Sequence, residues 1–428
     1  MNRWRQHSLD LANAAVLRPE AQILSLSQRV GQMHPVENDQ AFIRALDETN
    51  RLPIPNDLAL SIHLPNEKSS GCAPQKWGAP LSEQIRRLSS RFDQDRQVHE
   101  LHIHIDQIRP IATLIQYLIG QVESHFVVAD DALLSLFVPV GVSMGHVLIQ
   151  DTAFNHVHLD YFFEKPDDLE RSLPQRLSPH SKHTTIGITL KTEIEQALAD
   201  APMDSWLTPL INQHPDRLLF ESFEPRSEGY QNLLYTRPDA SVGLKQLKEN
   251  GYQAIGSGAF VRPNCPLAKA YQKKCLGLGL SGYLTRASLD QLGIGPDAMS
   301  WVGDYVASNH SDHELYARML EKGHAPIAHG LALQPKDVVN QAVIDALICD
   351  HALSIDQIQR RFLVCFRKYF PKACLALRES IDNGFLHWHG RHLEVTDLGL
   401  VHLPAIVSPW AEPAGLIDAS GLKVVHIN

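Results

Sequence analysis

Apolar residues gather in short runs through the middle of the chain, at 58–64, 100–106, 133–140, 147–150, 184–190 and 217–223. Runs of that length, several with polar side chains at alternate positions, predict β-strands. Segments with helical spacing, 81–88 and 111–122, lie between them. Strand and helix in alternation predict parallel βα units, and so an α/β protein built on a closed or partial barrel. The pattern changes after residue 330. Helical periodicity over 338–349, 355–362 and 372–383, then a hairpin signal at His389-Gly390-Arg391, predicts a small helical domain of winged-helix type. Residues 1–55 read as an N-terminal extension with a helix near 39–50, which leaves 56–330 for the barrel and 331–428 for the second domain.

A length of 428 residues suits this division, because single cores stop growing beyond about 250–300 residues. A net charge of −9 with mixed signs argues against a general nucleic-acid binder. No apolar run approaches the roughly 18 residues of a membrane span, and Met1-Asn2-Arg3-Trp4-Arg5-Gln6 opens no secretory h-region. The expectation is a cytoplasmic protein. Its six cysteines contain no Cys-x-x-Cys pair, which suits reduced thiols better than disulfides or a zinc site.

The 23 histidines add candidate chemistry. His102, His104 and Asp106 fall at alternate positions, so on a strand they share one face. The pattern recurs at His156, His158 and Asp160. Imidazole and carboxylate in that arrangement can hold a divalent metal and activate water. The same spacing also arises when histidine fills the polar face of a strand lining a wet interior. The glycine-rich stretch 277–282 lacks the flanking strand and helix of a phosphate-binding loop, and reads instead as a flexible connection.

Several motifs carry a family resemblance. Ser61-Ile62-His63-Leu64-Pro65 resembles a strand ending in His-Ile-Pro, and Pro215-Asp216-Arg217-Leu218 resembles a Pro-Asp-Arg strand start. Gly251-Tyr252-Gln253-Ala254-Ile255-Gly256, Phe260-Val261-Arg262-Pro263, Gly282-Tyr283-Leu284-Thr285, Leu292-Gly293-Ile294-Gly295 and Ala298-Met299-Ser300 follow in order. Leu393-Glu394-Val395-Thr396-Asp397-Leu398-Gly399 is similar to a C-terminal Val-Thr-x-x-Gly hairpin. Together these resemble the oxygen-independent coproporphyrinogen III oxidases, radical S-adenosylmethionine enzymes, over residues from about 55 to 405.

The resemblance implies a partial (β/α)6 radical-SAM-like barrel with a C-terminal helical domain. It also implies a 4Fe-4S cluster on a CxxxCxxC loop after the first strand. Here Glu67, Gly71 and Pro74 hold the three positions, and Cys72 stands one residue out of step. A cubane cluster needs soft thiolate ligands, and one thiolate cannot hold it. Three further family features are changed. A glycine turn becomes His104, Asp106 and Gln107; a cofactor-binding Glu becomes Phe137; a cofactor-binding Asp becomes Gly187. Gln150 matches a polar cofactor-binding position, and Arg262 matches a porphyrin-propionate partner or a structural loop salt bridge. The expectation is a family relative without cluster or S-adenosylmethionine chemistry, which binds haem, a porphyrin or a protein partner in haem metabolism. Its alternatives are retained oxidative decarboxylation of coproporphyrinogen III and a metal-dependent barrel enzyme using His102, His104 and Asp106.

Overall fold

The computed structural model describes residues 33–65, 74–92, 95–105, 112–139, 154–162, 185–192, 203–222 and 240–411. Along the chain, β1 (His34–Pro35) is followed by β2 (Asp57–Leu64), β3 (Gln97–Ile105), β4 (Val127–Pro139), β5 (His156–Phe162), β6 (Thr185–Thr192) and β7 (Arg217–Ser222). β2 to β7 pair in sequence order, every pair parallel. These are the six strands of the expected partial barrel. Helices Gly78–Ser89, Ala112–His125 and Met203–Asn212 make the crossovers after β2, β3 and β6.

Alternation in the sequence explains the layering. Leu58, Leu60, Ile62 and Leu64 of β2 share a core with Leu81, Ile85 and Leu88 of the first crossover helix and Ile115, Leu118 and Val122 of the second. Burial of each such side chain contributes about 1.5–3 kcal/mol. Ala59, Ser61 and His63 take the opposite face of β2, inside the curved sheet.

Beyond β7, the hairpin of β8 (Gln253–Ile255) and β9 (Ala259–Val261) closes one edge antiparallel. β10 (Gly277–Gly279) and β11 (Gly282–Leu284) form a separate tight hairpin. The glycine-rich stretch is therefore paired backbone and not a flexible connection. A Cβ on Gly277 would lie 2.7 Å from Ala287 Cα, and Gly282 has a φ of +125°. Only glycine accommodates both demands.

The other edge is longer than the sequence predicts. β12 (Leu289–Ile294) runs parallel to β2, and β13 (Met299–Val302), β14 (Tyr305–Asn309) and β15 (Ile327–Ala332) follow antiparallel. β1 pairs with β15, so thirteen strands form one sheet among the described residues. The expected strand at 147–150 lies outside the described residues. The strand beside β4 is β5, which carries the second His-x-His run.

The N-terminal helix Gln40–Asn50 buries Phe42, Ala45 and Leu46 in the main core. Arg96 ties it down. Its guanidinium donates to Thr49 Oγ1, Asn50 Oδ1, Asn56 O and Asp290 Oδ2.

Helices Pro335–Cys349, Ile355–Phe362 and Pro371–Asp382 lead to a three-stranded sheet of β16 (Ala352–Leu353), β17 (Leu386–His389) and β18 (His392–Val395), in the order β16-β18-β17. Ser354 caps the second helix by accepting from Gln357 N. Val343, Leu347, Phe366, Phe370 and Trp410 form a second core that also takes in Ile255, Val261, Leu267 and Leu278. The C-terminal helices thus pack directly on the β8–β11 region. No described helix is long and apolar enough to cross a membrane.

Candidate functional site

Register across the parallel strands stacks inward side chains in rows. Ser61, His102, Ser135 and His156 are successive cross-strand partners from β2 to β5. Two residues further along each strand, toward its C-terminal end, His63, His104, Phe137, His158 and Gly187 make a second row from β2 to β6.

Rings in the second row meet face to face. His63 and His104 have centroids 4.4 Å apart and planes 18° apart, and His104 and Phe137 follow at 4.5 Å and 14°. Phe137 and His158 continue at 5.0 Å, tilted by 46°. At β6 the row ends against Gly187, where a Cβ would lie 2.6 Å from His158 Nδ1. Glycine here makes room for an imidazole. Offset stacks of this kind contribute about 0.5–1.5 kcal/mol per pair beyond their buried area.

Ser61 joins the two rows. Its Oγ lies 2.9 Å from His104 Nε2, 3.2 Å from His63 Nε2 and 2.9 Å from Ser281 Oγ in the β10–β11 turn. A hydroxyl has one proton and two lone pairs, so three contacts saturate it.

Beneath them sits Glu100, fully buried at the base of β3. Its Oε1 accepts from Thr285 N at 2.5 Å and Thr285 Oγ1 at 2.6 Å, and its Oε2 lies 3.0 Å from His102 Nε2. Such a set of donors offsets the cost of burying a carboxylate. Thr285 belongs to the Gly-Tyr-Leu-Thr motif, which thereby acquires a physical role. His156 is also fully buried, with Nδ1 2.5 Å from Thr185 Oγ1. Burial, then the charge of Arg217, then His102 hold its protonation well below the usual imidazole range, so it is neutral near pH 7.

The remaining expectations divide by place. His102 and His104 share the inward face, as read from their spacing. Asp106, Gln107, Gln150, Glu67, Gly71 and Cys72 lie outside the described residues. Pro74 opens a short 3-10 turn, Pro74–Trp77, before the first crossover helix. Among the described residues, neither His102 nor His104 belongs to a group of three ligand-type side chains close enough to share a metal ion. His102 is turned to Glu100, and His104 to Ser61 and its ring neighbours.

Arg262 follows β9 directly. Val261 pairs with Arg217, the first residue of β7, and Arg262 N donates to Asp216 O. That puts Arg262 at the N-terminal end of β7, whereas parallel barrels bind ligands at the C-terminal ends of their strands. Its guanidinium meets His214 Nδ1 at 3.1 Å and lies 4.8 Å from the Tyr252 ring centroid.

This architecture, a parallel six-stranded partial barrel with a helical C-terminal domain, is the radical SAM type of α/β fold. A solved structure described as coproporphyrinogen III oxidase (HemN) from Escherichia coli, a radical SAM enzyme, superposes with a TM-score of 0.70 at 21% identity, covering 89% of this chain and 94% of that one. The family model for the HemN C-terminal domain matches residues 333–402. The oxygen-independent coproporphyrinogen III oxidase of Pseudomonas aeruginosa is 32% identical over 352 residues, 75% of each chain. Its counterpart in Synechocystis is 24% identical over 366 residues, again 75% of each. The chain belongs to the oxygen-independent coproporphyrinogen III oxidase family.

A 4Fe-4S cluster and S-adenosylmethionine fit the residues at hand poorly. The family's three-thiolate motif is absent from the sequence after β2. Phe137 supplies a ring wedged between His104 and His158 where the resemblance places a hydrogen-bonding carboxylate, and the space beside Gly187 holds the His158 imidazole.

Proposed function

We propose that this chain serves haem metabolism by binding a tetrapyrrole at the C-terminal mouth of its barrel, without cleaving S-adenosylmethionine. The observation that carries this reading is the ring ladder from His63 to His158. It occupies positions from which the resemblance draws cofactor contacts, and it leaves no polar groups of the expected kind at Phe137 and Gly187. Cleavage of S-adenosylmethionine takes an electron from a bound cluster, and Glu67, Gly71 and Pro74 cannot ligate one as thiolates do.

A tetrapyrrole asks for different chemistry. Its macrocycle is flat and apolar with anionic edges, and a central iron accepts an imidazole nitrogen. Half-buried His63, at the end of β2 and the outer end of the ladder, is the imidazole placed to serve as axial ligand. His104 stacks on its ring and is itself stacked on Phe137, and the Ser61 hydroxyl is shared between the two imidazoles. A protein partner in haem metabolism could dock at the same mouth, either with the tetrapyrrole or in its place.

Titration of the full chain with haem and with coproporphyrin III tests this. Saturable submicromolar binding with a Soret shift is expected for haem, and His63→Ala should abolish the haem shift while sparing metal-free porphyrin. Flat spectra with both ligands would sink the reading.

A second reading is an active oxygen-independent coproporphyrinogen III oxidase, favoured by the 32% identity over 75% of each chain with the Pseudomonas aeruginosa relative. It requires a cluster held by ligands other than the three-cysteine motif.

A further inference from the structure

The β17–β18 hairpin of the C-terminal domain presents an unusual face. In an antiparallel pair, directly opposed residues project to the same side. His387 faces Glu394 across the hairpin, and His389 faces His392. Four metal-ligand side chains therefore share one side of a short two-stranded ribbon. The other side carries Leu386 and Leu393, each 1% exposed, which anchor the ribbon in the second core.

Ligand atoms of His387, His389 and Glu394 all lie within 4.8 Å of one another. Glu394 Oε2 is 3.6 Å from His387 Nε2, and Glu394 Oε1 is 3.3 Å from His389 Nδ1. The carboxylate is thus already drawn between two imidazoles. On its far side Glu394 pairs with Ala352 of β16. The turn is tight, with Gly390 at a φ of +61°, so the two strands are held in register. The nearby cation Arg391 is directed toward Asp356, 3.9 Å away.

We propose that His387, His389 and Glu394 form a binding site for a divalent transition-metal ion of the zinc class, with His392 or water completing the shell. Two imidazole nitrogens and one carboxylate oxygen are a donor set that zinc accepts at about 2.0–2.2 Å. Donor atoms that each bind one tetrahedral ion at that distance stand roughly 3.4 Å from one another, and small rotations of exposed side chains bring the present separations, all within 4.8 Å, to that spacing. Magnesium and calcium prefer all-oxygen shells and are excluded by the same donors. The site lies in the C-terminal domain, away from the barrel ladder, and does not depend on the function proposed above.

Calorimetric titration of the chelator-treated full chain with Zn2+ alone, with Mg2+ as the control, tests the site. One equivalent of Zn2+ and no heat from Mg2+ are expected. His389→Ala and Glu394→Gln should each weaken Zn2+ binding at least about tenfold, as loss of groups supporting a metal does. Both side chains are on the surface, and an unchanged thermal midpoint of the metal-free variants would confirm that they fold. X-ray absorption should show a shell of nitrogen and oxygen only. Absence of saturable binding, a sulfur-containing shell, or a loss caused by His104→Ala instead of His389→Ala would overturn the proposal.

Discussion

Replacing Arg96 by Met is expected to cost about 3–5 kcal/mol of folding stability, the usual result of stranding one half of a buried ion pair. Arg96 and Asp290 have side chains only 1% and 3% exposed, with 2.5 Å between Nη2 and Oδ2. The same guanidinium binds Thr49 and Asn50 at the end of the N-terminal helix and Asn56 just before β2. Its Cζ also lies 4.6 Å from the Phe92 ring centroid. Three segments distant in sequence therefore depend on one side chain. Asp290 keeps the amides of Asn56 and Gly303 as donors, but these are neutral and leave its charge uncompensated. Pairing Arg96→Met with Asp290→Leu should recover part of the loss, because the orphaned carboxylate goes with it. Urea unfolding of the two variants and the parent checks this; a single-variant cost under about 1 kcal/mol would show that the pair is not the clamp it looks to be.

Glu100→Ala should be the next most damaging change, at about 2–4 kcal/mol, since it removes the fully buried acceptor on which three donor atoms converge. Thr285 N, Thr285 Oγ1 and His102 Nε2 all converge on this carboxylate. Glu100→Gln keeps an acceptor oxygen for Thr285 and should cost distinctly less. Amide hydrogen exchange gives a local readout: the Thr285 N–H should lose protection in the Ala variant and retain most of it in the Gln variant. Equal protection in all three proteins would mean that the barrel floor is held by something else.

Much of the fold was legible in the sequence, and the exceptions have physical reasons. β2, β3, β4, β6 and β7 declared themselves through apolar runs, and the β17–β18 hairpin through Gly390 between two extended segments. β5 did not, because His156 and His158 replace apolar side chains at its inward positions and weaken the strand signal. β12 to β15 are short and carry no helical spacers between β12 and β14, so only motif resemblance marked them. The candidate site was half legible. Spacing showed that His102 and His104 share a face, and the family resemblance implied carboxylates where Phe137 and Gly187 stand. Sequence could not show that Gly187 is the space into which His158 turns, or that Glu100 is satisfied by Thr285, 185 residues away. The motif around Arg262 was recognisable, but not the antiparallel register of β9 that sets Arg262 beside the N-terminal end of β7. Partnerships made across the sheet leave no local pattern.

The central proposal is that the chain keeps the family's scaffold without the family's radical chemistry. Anaerobic reconstitution of the full chain with iron and sulfide, followed by iron and sulfide analysis, an EPR spectrum of the reduced protein and an assay for S-adenosylmethionine cleavage, tests it most directly. The account predicts substoichiometric iron, no cluster signal and no cleavage. One four-iron cluster per chain that cleaves S-adenosylmethionine on reduction would contradict it.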